Sequence, residues 1–108
     1  MIRLSFARLS AHRSRVVFVD ALRIHHTTPR LVARLVGETW CHLATDGAID
    51  ELHVFAAAMG VPRLAFHAHP RHPHYDLTPE RRAEAVAAGA VEVTSKELVK
   101  RCFRGGSR

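Results

Sequence analysis

Val16-Val17-Phe18-Val19-Asp20 is a β-branched and aromatic run that stops at an acid, a pattern typical of a buried strand followed by a loop. After it, helix-like segments with apolar residues three and four apart alternate with further strand-like segments. The other predicted strands cover residues 39–44, 63–68 and 91–93, and the predicted helices cover 29–36, 48–59, 79–88 and 95–103. This alternation predicts a single α/β domain with a mainly parallel sheet of about four strands, built from βα repeats.

Helix ends are marked by capping residues and glycines. Thr28 and Thr78 each precede a proline, which is typical of an N-cap followed by a first-turn proline. Thr94, with Glu97 three residues later, predicts a capping box at the start of the last helix. Glycines follow the first three predicted helices, at Gly37, Gly60 and Gly89.

The composition excludes several classes of protein. A chain of 108 residues with 47% hydrophobic and 24% charged residues has room for one packed core, in which we expect the single tryptophan, Trp40. Two cysteines are too few for a disulfide-built secreted module, and the apolar runs are far too short to span a membrane. We therefore expect a cytoplasmic protein with reduced thiols and no membrane association.

The net charge of +6 is concentrated at the two ends of the chain. Residues 1–19 and 96–108 each carry +4, whereas residues 20–95 carry −2. We predict a basic N-terminal extension over residues 1–15, the α/β domain over 16–103 and a flexible basic tail over 104–108. Basic ends of this kind also fit a module that binds nucleic acid or an acidic protein partner.

Polar side chains collect where the predicted strands end. Asp20, Asp46 and His67 lie at or just after strand ends, with His69 two residues further on, and His42 lies inside the second strand. In an open parallel sheet, ligands bind beyond the carboxyl ends of the strands, so these residues are candidate site residues. Capping of the following helix is the alternative role for Asp46 and its neighbours.

The most unusual segment is His67-Ala68-His69-Pro70-Arg71-His72-Pro73-His74-Tyr75-Asp76. His67 and His69 share one side of an extended chain, a spacing that suits Zn²⁺, although a solvated turn has the same composition. An acid beside His74 can hold its tautomer, and Tyr75 can donate to an oxyanion. Alternatively, Tyr75 packs into the core and Asp76 forms an Asx turn before the helix.

Two further candidates lie on helices. His53 flanks the apolar stripe of the second predicted helix, and Arg82 has a similar position on the third. Either residue can serve a site or simply border the core.

Six short motifs occur together in this chain: Phe18-Val19-Asp20, Trp40-x-His42-Leu43-x-x-Asp46, Glu51-Leu52-His53-x-Phe55-Ala56, Pro73-His74-Tyr75-Asp76-Leu77-Thr78, Arg82-Ala83 and Gly89-Ala90. In this combination the chain resembles a small bacterial and phage family known as a domain of unknown function, over residues 16 to about 100. The resemblance implies a compact intracellular domain. The resemblance also implies that the polar positions of the family correspond in this chain to Asp20, His42, Asp46, His53, His74, Tyr75, Asp76 and Arg82.

The leading hypothesis is a metal- or phosphate-binding domain, with hydrolysis of a phosphoester or nucleotide as its reaction. Asp20, Asp46 and Asp76 would supply carboxylates for a divalent ion, Zn²⁺ or Mg²⁺, with His67 and His69 as further ligands. His42, His53 and His74 would act as ligands or as general acids and bases. Tyr75 and Arg82 would stabilise negative charge on a phosphorylated small molecule. The alternatives are a nucleic-acid or protein-binding module that uses the basic ends, and a small dimerising accessory protein.

Overall fold

The computed structural model describes residues 17–103, which form six strands and four α-helices. The strands are β1 (Val17–Val19), β2 (Arg23–Ile24), β3 (Thr39–Thr45), β4 (Phe66–His67), β5 (His74–Leu77) and β6 (Val91–Glu92). The helices are α1 (Arg30–Val36), α2 (Ile49–Ala58), α3 (Pro79–Ala87) and α4 (Ser95–Leu98), with a 3-10 turn at Arg63–Ala65 and a π-helical turn at Val99–Phe103. The predicted basic extension and the predicted basic tail lie outside the described residues.

The sheet is mainly antiparallel, so the expectation of a mainly parallel, four-stranded sheet with βα repeats is wrong. Its order is β4-β5-β3-β1-β6, with β2 also paired to β3. Within residues 17–103, only the pairing of β1 with β6 is parallel. The fold is therefore a mixed α/β arrangement around the long central strand β3.

Two of the antiparallel pairings come from the histidine- and proline-rich segment. The sequence predicts a full strand over residues 63–68 followed by a loop, but residues 63–65 form a 3-10 turn and residues 66–67 a short edge strand. Residues 74–77 form a real strand, with partly exposed and buried positions alternating, and they lie between β4 and β3. This insertion makes two antiparallel pairs where a helical crossover is expected.

A bulge joins β1 to β2. Val19 faces Leu43 in the register of β1 with β3, whereas Arg23 faces Trp40 in the register of β2 with β3. Asp20 continues the first register, since its backbone N–H donates to the His42 carbonyl at 3.3 Å. The chain therefore has one extra residue between Asp20 and Arg23. Such a bulge bends the strand and changes the direction of the side chains that follow it.

The two faces of the sheet have different coverings. One face buries Val19, Leu43 and Leu77 against α2 and α3, which contribute Leu52 and Ala85 among others. The opposite face, which we call the second face, carries a smaller apolar cluster in which Leu98 of α4 packs against Phe18 and Ala44. The second face also carries the polar side chains described below.

Two of the predicted helix caps are confirmed. The Thr78 hydroxyl accepts a hydrogen bond from the Arg81 backbone N–H at 3.4 Å, and the Thr94 hydroxyl accepts one from Glu97 at 3.0 Å. The predicted Thr28 cap is wrong, because α1 begins one residue later than expected and the Thr28 hydroxyl donates to the His25 carbonyl instead. Among residues 17–103, no helix is long and apolar enough to cross a membrane.

Candidate functional site

Three polar side chains converge on the second face of the sheet. His42, His74 and Asp76 each offer one atom that can bind a metal, and these three atoms lie within 4.8 Å of one another. The centroids of the two imidazole rings are 4.9 Å apart. We call this group the His/Asp cluster.

Strand pairing brings the cluster together. His42 on β3 lies directly opposite Asp76 on β5 in the antiparallel register. His74 is two residues from Asp76, so the alternation of side chains along a strand places both on the same face. The residue between them, Tyr75, points to the opposite face, where it is 1% exposed.

A buried carboxylate orients His42. One oxygen of Asp20 accepts the His42 backbone N–H at 2.7 Å, and the other lies 2.8 Å from His42 Nδ1 and 3.1 Å from the Ser95 hydroxyl. Because a carboxylate only accepts, Nδ1 of His42 carries the hydrogen, and Nε2 is left as the free nitrogen of the ring.

The same contacts shift the pKa values of Asp20 and His42 in opposite directions. Burial raises the pKa of Asp20, but hydrogen bonds from the His42 side chain and backbone and from Ser95 outweigh it, so the pKa of Asp20 is lowered. The hydrogen bond to Asp20 raises the pKa of His42, against the opposing effects of burial and of the charge on Arg23.

His74 is oriented in a similar way, by a carbonyl. Its Nδ1 lies 2.7 Å from the His72 carbonyl oxygen, so Nδ1 is again a protonated nitrogen. Its Nε2 faces an oxygen of Asp76 at 3.3 Å. In the neutral ring with its hydrogen on Nδ1, Nε2 carries a lone pair and repels the carboxylate oxygen of Asp76. The contact is favourable only if Nε2 also carries a proton or if a cation lies between the two atoms.

His67 lies on the other side of Asp76. Its Nε2 is 3.0 Å from the second oxygen of Asp76, and its ring stacks on that of His74 with centroids 4.9 Å apart. Burial raises the pKa of Asp76, but the side-chain hydrogen bond with His74 and the charges of His74, His67 and His42 outweigh it and lower the pKa below its usual value. Asp76 is therefore held as a carboxylate among imidazoles.

Several predicted site residues lie elsewhere. His53 on α2 lies on the opposite face, where its Nδ1 is 2.8 Å from the Tyr75 hydroxyl. Asp46 is exposed beyond the end of β3, where its charge acts on Cys102. His69 stacks on His72 in the loop before β5, with centroids 3.6 Å apart. These positions separate His53, Tyr75, Asp46 and His69 from the cluster.

Arg82 and Asp20 border the cluster without facing its centre. The Arg82 Nε–H donates to the Asp20 backbone carbonyl at 2.8 Å, and a terminal nitrogen pairs with Glu92 at 3.2 Å. Asp20 uses its side chain on His42 and Ser95. Both residues therefore position the site rather than line it.

An open pocket of about 400 Å³, which the sequence did not predict, lies beside the cluster. Its lining includes His67 and Asp76, together with Trp40 and residues of the loop between β2 and α1. Trp40 is half-buried and lines this pocket, so its expected place in the core is wrong. Its position two residues before His42, and so on the same face of β3, is a signal that could have placed it here.

The family to which the chain belongs follows from a match to a known family profile. The profile of a family described as a protein of unknown function, DUF4031, matches residues 17–104. The chain belongs to this family. The match confirms the expected membership of a family of unknown function, and the DUF4031 span contains the whole His/Asp cluster, Asp20 and the pocket. Neither the curated proteins nor the solved structures contain a match to the chain.

Proposed function

We propose that the protein binds a divalent transition-metal ion, Zn²⁺ in the first instance, through Nε2 of His42, Nε2 of His74 and a carboxylate oxygen of Asp76. We further propose that the bound ion activates water to hydrolyse a phosphoester. The observation that carries the proposal is that one ligand atom from each of these three residues lies within 4.8 Å of the other two. Both imidazoles use Nδ1–H elsewhere, which leaves Nε2 of each ring to bind a ligand. A cation stabilises such an arrangement.

The choice of metal follows from the donor atoms. Two imidazoles and one carboxylate suit Zn²⁺, Fe²⁺ or Mn²⁺ better than Mg²⁺, which prefers oxygen ligands and bound water. Zinc–nitrogen bonds of about 2.0–2.1 Å separate tetrahedral ligand atoms by about 3.3 Å. The three ligand atoms of the cluster now lie within 4.8 Å of one another, so side-chain rotations that shorten their separations by up to about 1.5 Å give that geometry.

The surroundings favour a catalytic ion over a structural one. Structural zinc sites are closed by four protein ligands, whereas catalytic sites keep a position for water. The side chains of His42 and Asp76 are each 33% exposed, and Asp76 borders the pocket. A bound metal ion supplies a water of lowered pKa and a positive charge for a phosphoryl oxygen.

The neighbouring residues fit specific tasks. Asp20 holds the tautomer of His42, as carboxylates do behind zinc-binding histidines. His67 contacts Asp76 and lines the pocket, where it can accept or deliver a proton. Arg23 and His25 add basic groups near His42, which suits an anionic substrate.

The first experiment tests metal binding alone. The full chain, stripped of metal by a chelator, is titrated with ZnCl₂ in a calorimeter and heated with and without Zn²⁺. We expect one ion per chain and, at a hundredfold excess over Kd, a rise in the unfolding midpoint of about 10–20 °C. His74→Ala should abolish both effects, while His69→Ala, the matched control in the neighbouring loop, should leave them intact.

Two results would overturn the metal site. One is the absence of Zn²⁺ binding by a folded chain. The other is an equal loss of affinity in His74→Ala and His69→Ala, which would place any bound ion in the loop before β5.

The second experiment tests the reaction. The Zn²⁺-loaded chain is incubated with p-nitrophenyl phosphate and with bis(p-nitrophenyl) phosphate, and p-nitrophenol release is followed. We expect turnover of at least one ester that Asp76→Asn abolishes and His69→Ala retains. Equal rates in the wild type and Asp76→Asn would reject the hydrolase proposal and leave the metal site to be judged on the calorimetry.

A further inference from the structure

The pocket beside the His/Asp cluster has a polar part and an apolar part. The polar part includes Asp76 and His67, which belong to or touch the cluster, and His25, whose ring centroid is 6.3 Å from that of His42. Arg23 lies opposite Trp40 in the strand pairing, so its side chain leaves β2 on the same face as the pocket. With a metal ion in the cluster, this part attracts an anion.

The apolar part is formed by Trp40 with Pro29, Val32 and Ala65. The Trp40 Nε1–H donates to the Thr28 hydroxyl oxygen at 3.2 Å, and that hydroxyl donates to the His25 carbonyl at 2.7 Å. Both hydrogens are therefore used within the protein. The indole ring is braced in place and has only its apolar surface to offer a ligand.

These two parts line one space of about 400 Å³, within the range of small-molecule sites. A ligand that fills it needs an anionic group for the polar part and a flat apolar group for the tryptophan. Nucleoside monophosphates combine a phosphate with a flat base that stacks on aromatic side chains.

We infer that the pocket binds a nucleoside monophosphate, with the phosphate at the His/Asp cluster and the base against Trp40. The inference rests on the proposed metal site, since the ion anchors the phosphate. It assigns the proposed hydrolase a nucleotide substrate or product.

Trp40 is the single tryptophan of the chain, so its fluorescence reports directly on the pocket. The Zn²⁺-loaded full chain is titrated separately with AMP, ribose 5-phosphate and adenosine, and Zn²⁺ occupancy is measured by calorimetry in the same preparation. We expect saturable quenching by AMP, and an affinity for ribose 5-phosphate that is roughly 5- to 150-fold weaker because the base no longer stacks. Adenosine, which lacks the phosphate, should also bind more weakly than AMP.

A pair of variants on α1 tests whether AMP binds in this pocket. Val32→Glu places a carboxylate in the pocket wall and should weaken AMP binding at least tenfold while Zn²⁺ binding is kept. Leu35→Glu, on the same helix but outside the pocket lining, should bind AMP like the wild type.

The outcomes separate the two proposals. Full Zn²⁺ occupancy without AMP quenching overturns the nucleotide inference and leaves the metal site standing, as does equal affinity for AMP and ribose 5-phosphate. Absence of Zn²⁺ binding overturns the metal site and, with it, the phosphate anchor on which this inference depends.

Discussion

Asp20 and Asp76 are two acids at one site whose substitution should have different effects. Asp20 is 1% exposed and its carboxylate accepts three hydrogen bonds, two of them from His42. Asp76 has a side chain that is 33% exposed and pairs with His67 and His74. We therefore predict that Asp20→Asn lowers stability strongly and that Asp76→Asn mainly removes metal binding.

The expected loss of unfolding free energy in Asp20→Asn follows from the hydrogen bonds of the Asp20 carboxylate. Hydrogen bonds to a charged acceptor contribute about 1.5–3 kcal/mol each, and neutral ones about 0.5–1.5 kcal/mol. The amide also turns an NH₂ group toward at least one existing donor, while the cost of burying a charge is relieved. We expect a net loss of about 2 kcal/mol, or roughly 8–16 °C in the unfolding midpoint for a domain of this size. For Asp76→Asn we expect a loss of less than about 1 kcal/mol, because its ion pairs are screened by solvent.

Metal affinity provides the second measurement. In the Asp20→Asn variant, the new amide can donate to Nδ1 of His42, which favours the tautomer with its hydrogen on Nε2, the proposed ligand atom. Loss of such a carboxylate partner typically weakens metal binding by about 10–100-fold. Asp76→Asn removes a ligand and should abolish binding.

The assay is urea unfolding followed by far-UV circular dichroism, with Zn²⁺ calorimetry on each variant. A wild-type urea midpoint together with wild-type Zn²⁺ affinity in Asp20→Asn would refute the assigned role of the buried carboxylate. Greater destabilisation in Asp76→Asn than in Asp20→Asn would refute the reasoning from burial.

Other contacts in the described chain lead to further expected outcomes. Tyr75→Phe removes the hydroxyl that meets His53 at 2.8 Å on the opposite face, so urea unfolding should show a loss of about 1 kcal/mol, with unchanged Zn²⁺ affinity. Thr94→Ala removes the cap of α4 and should cost about 1 kcal/mol in the same assay, and a stability equal to that of the wild type would contradict the cap. The lowered pKa of Asp20 means that its stabilisation is present above its unfolded pKa of about 3.9 and is lost as the pH falls through the lower folded value. Wild-type stability should therefore fall more steeply than that of Asp20→Asn below about pH 4. Burial raises the pKa of both Cys41 and Cys102 to about 12, so a thiol reagent at neutral pH should label the folded chain far more slowly than the urea-unfolded chain.

Local patterns predict local structure well in this chain. The caps at Thr78 and Thr94 depend on side-chain contacts within three residues, so the sequence contains all the information they require. The strand β1, the apolar face of α2 and the strand at 91–92 likewise follow from short-range patterns. The sequence does not predict the strand at 74–77, because the prolines and histidines before it favour a loop. Its alternation of buried and partly exposed residues is too short to outweigh that signal.

For the candidate site, the sequence likewise identifies the residues but not their placement in the fold. The primary structure identifies the side chains of the candidate site, including His42, His74, Asp76 and Asp20. The sequence places them above the ends of parallel strands, but in the antiparallel sheet the cluster lies on the second face. His53 and Tyr75 carry similar chemistry and lie on the other face, Tyr75 because side chains alternate along β5 and His53 because α2 packs on that face.

The amino-acid sequence alone therefore established the chemical groups, several helix boundaries and the family resemblance, because these depend on residue identity and short-range spacing. The pairing of β3 with β5, the bulge between Asp20 and Arg23, and the pocket at Trp40 became visible only in the folded chain. Strand register joins residues more than thirty positions apart, such as His42 and Asp76, and it is set by the packing of the whole core on both faces of the sheet.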